Sequence, residues 1–226
     1  MAILYIIGTP IGNLGDITYR AVEALKSLDI LACEDTRRTL KLLTHLSIRV
    51  KLVSCRSGNE ERAAKQVIAA LDAGNAAGYV SDAGTPAISD PGSILVRLAA
   101  EGGHQVLPIP GPSAFATLAS VSGGLDRAVH FEGFLSPKQG RRRSRLLELL
   151  SMETAFILFE SPFRILKLLD DLVEIDKERY ICIGREMTKI HEEYLRGSAE
   201  QIRAQLANRE RQIGEFAVYV SGKKMH

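Results

Sequence analysis

The segment SDAGTPAISDPG, Ser81 to Gly92, follows the apolar run AAGYV and combines two aspartates, several hydroxyls and two prolines with almost no side-chain bulk. Pro86 and Pro91 restrict the backbone, while Gly84 and Gly92 let it approach a neighbour closely. Ser81, Asp82 and Thr85 supply acceptors and hydroxyls. A stiff, small, polar tract at a strand terminus suits the wall of a ligand site, with a plain connector as the alternative. In LACEDTRR, Glu34 and Asp35 end another apolar run and Arg37 and Arg38 follow. Carboxylates there could act as a base or hold a ribose, and a helix start favours them equally. GTPIGNLG has the spacing G-x-x-x-G-x-x-G, not the G-x-G-x-x-G of a dinucleotide site, and Pro10 removes an amide donor. In IPGPSA, Pro110 and Pro112 stiffen the chain before Ser113, where a helix with free amides or a rigid corner would begin.

Charge is concentrated rather than abundant. PKQGRRRSR gathers Lys138, Arg141, Arg142, Arg143 and Arg145 although the whole chain carries a net charge of only +2. No aromatics interrupt that run, which favours phosphate contacts over base stacking, the alternative being a solvated helix start. CIGREMTKIHEEYLRG mixes Arg185, Glu186, Lys189, Glu192 and Glu193 on strand-like segments, a pattern that also suits a solvated edge.

Strands and helices must position these groups. ILYIIG, DILACE, VKLVS, AAGYVS and QVLPIPG read as five strands separated by helices over ITYRAVEALKSL, TRRTLKLLTHL, SGNEERAAKQVIAALDAG and DPGSILVRLAAEGG. Asp16 is the expected N-cap of the first helix and Asp90 that of the fourth. This alternation predicts a mostly parallel sheet with ligands at the carboxyl ends of its strands. After SVSGGLDR the rhythm changes. AVHFEGFL, TAFILFES, RYICIGRE, IHEEYLRG and EFAVYVSG read as strands, with helices after the first two and before the last. The expectation is therefore α/β throughout, an N-terminal domain over residues 1–120 and a mixed α/β domain over 121–226, hinged near Gly123 and Gly124.

With 226 residues, 46% hydrophobic and 25% charged, the chain has the composition of an ordinary globular protein. Cys33, Cys55 and Cys182 lack paired spacing, which predicts a reducing, cytoplasmic setting without disulfides. The five histidines lack metal-ligand spacing, so no metal is expected. No apolar run reaches the roughly 18–20 residues needed to span a bilayer, and MAILYIIG has no basic flank of a signal peptide.

Taken together, TPIGNLGDITYRAVEALK, EDTRRTLKLL, VSDAGTPAISDPG, PGPSA, FEGFL, ESPFR and REMTKIHEEYLRG resemble the tetrapyrrole-methylase-like (class III) S-adenosylmethionine methyltransferases, over residues 3 to 220. The resemblance is strongest to the branch that methylates the 2′-hydroxyl of a decoding-centre cytidine in 16S ribosomal RNA. It implies a homodimer of two-domain chains with S-adenosyl-L-methionine in a cleft between the domains. By similarity Pro10, Ser81, Asp82, Ala83, Gly84, Thr85, Pro86, Pro112, Ser113 and Ala114 line the cofactor, with Leu158 and Phe159 opposite. Arg37, Arg38, Arg141, Arg142, Arg143, Arg185 and Lys189 are the expected contacts to 16S rRNA in the 30S subunit. Glu34, Asp35 and Glu186 are the candidate bases, among which the residues alone do not choose. Where the family has a tyrosine and two histidines after the third strand, this chain reads SCRSGNE, with Cys55, Arg56 and Gly58 instead. A methylase of a tetrapyrrole or other small acceptor, and a cofactor-binding module without turnover, are the competing functions. A nicotinamide dehydrogenase is disfavoured by the glycine spacing.

Overall fold

The structure is a computed structural model that describes residues 2–88, 90–124 and 126–223. The chain divides into two compact units, Met1–Ser113 and Ala114–His226.

The first unit runs β1 (Ile3–Ile7), α1 (Tyr19–Lys26), β2 (Ile30–Cys33), α2 (Thr36–His45), β3 (Lys51–Ser54), α3 (Glu60–Asp72), β4 (Ala77–Val80), α4 (Ser93–Glu101) and β5 (Gln105–Ile109). All its strand pairs are parallel, in the order β3-β2-β4-β1-β5. The chain steps from β1 to β2 and β3 in one direction, then back through β4 to β5. Right-handed crossovers therefore put α1 and α2 on one face and α3 and α4 on the other. The side chains agree. Leu4, Ala32, Ala77 and Tyr79 pack with Ala64, Val67 and Leu95, whereas Ile7, Leu31, Cys33 and Val80 pack with Ala21, Leu25 and Leu43. Burial on both faces is why these strands are unbroken apolar runs.

Two helix starts differ from the sequence expectation. Thr18, not Asp16, caps α1 by accepting the Ala21 amide at 3.1 Å, and Asp16 lies in a preceding short 3-10 turn, Leu14–Asp16. Gly92, not Asp90, is the N-cap residue of α4. Its helix is capped from elsewhere: Glu60 Oε1, at the start of α3, accepts the Gly92 amide at 2.8 Å and the Ile94 amide at 3.0 Å. A local cap is unnecessary when a neighbouring helix supplies the carboxylate.

The second unit runs α5 (Ala114–Val121), β6 (Val129–Phe134), α6 (Gln139–Ser151), β7 (Ala155–Glu160), α7 (Ile165–Asp176), β8 (Tyr180–Arg185), β9 (Glu193–Ser198), α8 (Ala199–Ala207) and β10 (Phe216–Val220). Its sheet is mixed, in the order β6-β7-β10-β8-β9, with β6 and β7 parallel and the other pairs antiparallel. Phe156, Leu158, Ile183 and Val218 form the core with Leu146, Leu149, Leu168, Leu172 and Ile202 of α6, α7 and α8. On the opposite face α5 packs over β8, where a Cβ on Gly184 would stand 3.3 Å from Leu118. The end of α5 is tied down by Tyr180, whose hydroxyl donates to the Ser122 carbonyl at 2.6 Å, and by Arg196, which donates to the Val121 carbonyl at 2.8 Å. Gly124 lies against Tyr219 of the same unit.

Gly92 has φ of +123°, and any Cβ there would collide with the buried Tyr79 ring. Strain and overpacking each cost about 1–3 kcal/mol, so Gly92→Ala is expected to destabilise the chain by at least about 2 kcal/mol in urea denaturation.

Candidate functional site

The carboxyl ends of β1, β4 and β5 are joined mainly by their backbones. Thr9 and Gly84 exchange both amide–carbonyl bonds, at 2.9 and 3.1 Å, bridging the loops after β1 and β4. Gly8 donates to the Ile109 carbonyl at 3.0 Å, and a Cβ on Gly8 would lie 2.8 Å from the Gly111 backbone. Gly84 adopts φ of +79°, and Thr85 Oγ1 donates to the Pro112 carbonyl at 3.4 Å. Pro10, Ser81–Pro86, Pro112 and Ser113 are thereby gathered along one edge of the first unit. Ala114 begins α5 in the second unit. Thr9 Oγ1 is buried and meets no hydrogen-bond partner among the described residues. A hydroxyl facing a side-chain-poor bend is a group that a bound molecule can satisfy.

The ends of β2 and β4 are cross-linked by carboxylates. Asp82 Oδ1 accepts the Asp35 amide at 2.9 Å, and Glu34 Oε2 accepts the Asp82 amide at 3.4 Å. Asp82 Oδ2 lies 3.5 Å from Arg38 Nε. Asp82 therefore holds the β2–α2 junction. Ser81 is buried, donates to the Ala83 carbonyl at 3.2 Å, and also bonds Asp90.

The three candidate bases separate clearly. Asp35 caps α2 through the Arg37 amide at 2.9 Å and grips the Arg37 guanidinium at 3.0 and 2.7 Å, which holds its carboxyl well below the usual range. Glu186 has φ of +49° and accepts Lys189 Nζ at 2.8 Å and the Glu215 amide at 2.9 Å. Burial raises its pKa, but these partners outweigh burial and the net shift is downward. Glu34 goes the other way. Burial first, then the neighbouring Asp82 and Asp90 charges, push its proton affinity up, and burial does the same for Asp90. A half-buried carboxyl with raised proton affinity is the better base.

Several expected RNA contacts are otherwise engaged. Arg142 must be corrected outright: it is 2% exposed, its Nε donates to Asp171 Oδ2 at 2.6 Å, and it cannot meet a phosphate. The arginine run winds around α6, so one member faces the core and finds a buried partner 29 positions on. Arg143 pairs with Glu174 at 2.5 Å and Arg145 with Glu132 at 2.7 Å. Arg141 is exposed and has no ion pair among the described residues. Arg185 is spent on Glu193 and the Ile213 and His191 carbonyls, and Lys189 on Glu186 and Glu215. Arg37 and Arg38 remain largely solvent-facing.

Two further expectations concern the second unit. Leu158 is fully buried, its side chain beneath the helices and its backbone between β6 and β10. Phe159 points to the other face, against Phe131 and Phe134. In SCRSGNE, Cys55 is a core residue and Asn59 closes the loop through the Arg56 amide at 2.8 Å and the Ser54 carbonyl at 3.1 Å. Among the described residues no group of three histidine, cysteine or acidic side chains is placed to hold a metal ion, and no helix is long and apolar enough to cross a membrane. Sequence reasoning missed Thr9, whose hydroxyl gave no signal. It assigned Asp90 only a capping role, although the fold brings its carboxyl into hydrogen-bond contact with Ser81.

Removing Arg142 leaves Asp171 buried and unpaired. Arg142→Ala is expected to cost about 3–5 kcal/mol in chemical denaturation, whereas Arg141→Ala should stay within about 0.5 kcal/mol. Because folding raises the proton affinity of Glu34, the folded chain binds more protons above the ordinary carboxyl pKa of 4.5. That contribution to stability falls as pH rises, so the stability of Glu34→Gln relative to the parent should climb between about pH 4 and pH 7 in urea titrations.

Residues 3–203 match the model of the Tetrapyrrole (Corrin/Porphyrin) Methylases. A protein of Borrelia garinii subsp. bavariensis named ribosomal RNA small subunit methyltransferase I is 46% identical, covering 96% of this chain and 98% of that protein. Its namesake in Thermotoga maritima is 42% identical, covering 99% of this chain and 100% of the relative. Among solved structures, diphthine synthase has a TM-score of 0.73 at 16% identity, over 100% of this chain and 92% of that one. Cobalt precorrin-4 methyltransferase has a TM-score of 0.70 at 14% identity, over 97% and 94%, a likeness of fold. The parallel sheet with bridged strand ends, the mixed sheet that follows it and the family match over most of the chain lead to one assignment: this chain belongs to the tetrapyrrole (corrin/porphyrin) methylase family.

Proposed function

We propose that this chain is an S-adenosylmethionine-dependent methyltransferase acting on the ribose 2′-hydroxyl of a decoding-centre cytidine in 16S ribosomal RNA, with the 30S subunit as substrate and a cytoplasmic homodimer as the working form. The observation that carries the reading is Glu34: a half-buried carboxyl of raised proton affinity at the end of β2, bonded to the Asp82 amide next to the Thr9–Gly84 bridge. The names of the relatives at 46% and 42% identity support RNA as acceptor.

The residues present fit the cofactor. Thr9 Oγ1 is an unsatisfied buried hydroxyl, and Gly84 and Ala83 keep the adjoining bend free of bulk. Pro10, the Ser81–Pro86 bend and Pro112–Ser113 would hold it, with Asp82 acting indirectly by fixing the loop that follows β4. When bound, the cofactor supplies a methyl group on a sulfonium, open to in-line attack. The chain's part is to align the acceptor oxygen, an effect worth up to about 7–11 kcal/mol, and to receive its proton. Glu34 takes that proton as the oxygen–carbon bond forms. Asp35 and Glu186, with their proton affinities lowered, serve structure instead.

Incubation with cofactor and unmodified 30S subunits, followed by mass-spectrometric mapping, is expected to place one 2′-O-methyl group on a cytidine. A precorrin-type macrocycle should remain unmodified. Glu34→Gln should lower kcat by about 10²–10⁴-fold while cofactor affinity by calorimetry stays unchanged, and should remove the acidic limb of the rate profile. Methylation of the macrocycle, or of no RNA, would refute the assignment.

A further inference from the structure

The second unit presents a row of aromatic rings that ends in an exposed one. β6 pairs regularly with β7 up to Phe131↔Ile157, then shifts register so that Gly133 faces Leu158 and Phe134 faces Phe159. Glu132 is the extra residue of this bulge. Without it Phe131 and Phe134, three apart, would point to opposite faces. With it both join Phe159, in edge-on contacts at 5.1 and 5.7 Å between ring centroids, and Phe115 of α5 extends the row at 5.4 Å. Three rings thus support Phe134, which is nevertheless 59% exposed at the carboxyl end of its strand. Phe163, just beyond the end of the neighbouring β7, is 88% exposed.

The charges around this surface choose its occupant. Glu132 is held by Arg145 through two bonds of 2.7 Å and by His130 at 3.0 Å, so the bulge offers no free acid. Lys138, four residues after Phe134, and Arg141, one turn further, are both exposed and without ion pairs among the described residues. Four residues of chain span at most about 14 Å, so the ring and Lys138 lie within the reach of two or three nucleotides. A rigid exposed ring beside uncommitted cations suits single-stranded RNA, whose splayed bases stack on aromatics while its phosphates meet Lys and Arg.

We propose that Phe134 is a base-stacking platform for an unpaired nucleotide of the RNA substrate, with Lys138 and Arg141 taking the adjoining phosphates. This rests on the ribosomal RNA reading above. It also reverses the expectation that base stacking is absent because no aromatics interrupt the arginine run: the ring comes from the preceding strand.

Phe134→Leu keeps an apolar side chain against Phe159 and removes only the flat ring, while Phe134→Tyr retains the ring. With unmodified 30S subunits as substrate, Phe134→Leu should raise KM by about ten- to a hundredfold with kcat less affected, and Phe134→Tyr should stay within about twofold of the parent. Calorimetry should give both variants the parental affinity for S-adenosylmethionine. Lys138→Glu with Arg141→Glu should reduce the salt slope of 30S binding by about two. An unchanged KM for Phe134→Leu, or a loss of cofactor affinity in its place, overturns the stacking role, and an unchanged salt slope overturns the phosphate role. If the parent protein itself methylates no 30S subunit, the functional reading fails instead.

Discussion

Backbone resting on backbone at the carboxyl edge of a parallel sheet is the constraint on which the rest of the first unit depends. Gly8 and Gly111 lie so close that neither admits a Cβ, and Thr9 and Gly84 bond as a pair of strands would. Three loops that leave adjacent strands are held in one fixed arrangement with little side-chain filling. This geometry explains the composition of the tracts better than flexibility does. The glycines allow close approach, the prolines limit alternatives, and small residues leave room beside the bend.

Acidic groups at the same edge divide into those that build and those that remain available. Asp82, Asp35 and Glu60 each accept backbone amides at a helix start or a loop junction, and so replace what local caps would otherwise do. Glu34 shares one such bond but is half-buried and stands near Asp82 and Asp90, so its ionised form is disfavoured. The same logic applies to the basic groups. Arg142, Arg143, Arg145, Arg185 and Lys189 all complete ion pairs that hold secondary elements together. Charge clustered in sequence is therefore a poor guide to charge available at the surface.

Much of the fold was legible in the sequence because the signals were local. Unbroken apolar runs marked strands buried on both faces, and alternation with amphipathic segments marked the parallel sheet. The strand-end tracts were legible too, because glycine and proline state their backbone requirements directly. What failed depended on partners distant in the chain. Asp90 looks like a cap, yet Glu60 supplies that function from α3. Arg142 looks solvated, yet Asp171 on α7 draws it inward. The choice among Glu34, Asp35 and Glu186 needed the surroundings of each carboxylate, which no spacing encodes. The aromatic row was hidden for a further reason: an alternation rule places Phe131 and Phe134 on opposite faces.

That last point has a consequence for the whole strand. A strand's sidedness is a matter of odd and even positions, and the bulge changes the count midway along β6. The stretch before it and the stretch after it obey opposite parities, so deleting Glu132 would leave Gly133 on Leu158 and Phe134 on Phe159, whereas regular pairing of the full sequence would exchange the inward and outward sets downstream. Leu135, now 4% exposed within the helix-covered core, would turn outward while Phe134 turned in. One unpaired residue thus acts as a phase marker: with six residues in this strand, leaving Glu132 out of the ladder is the condition for presenting the ring to solvent.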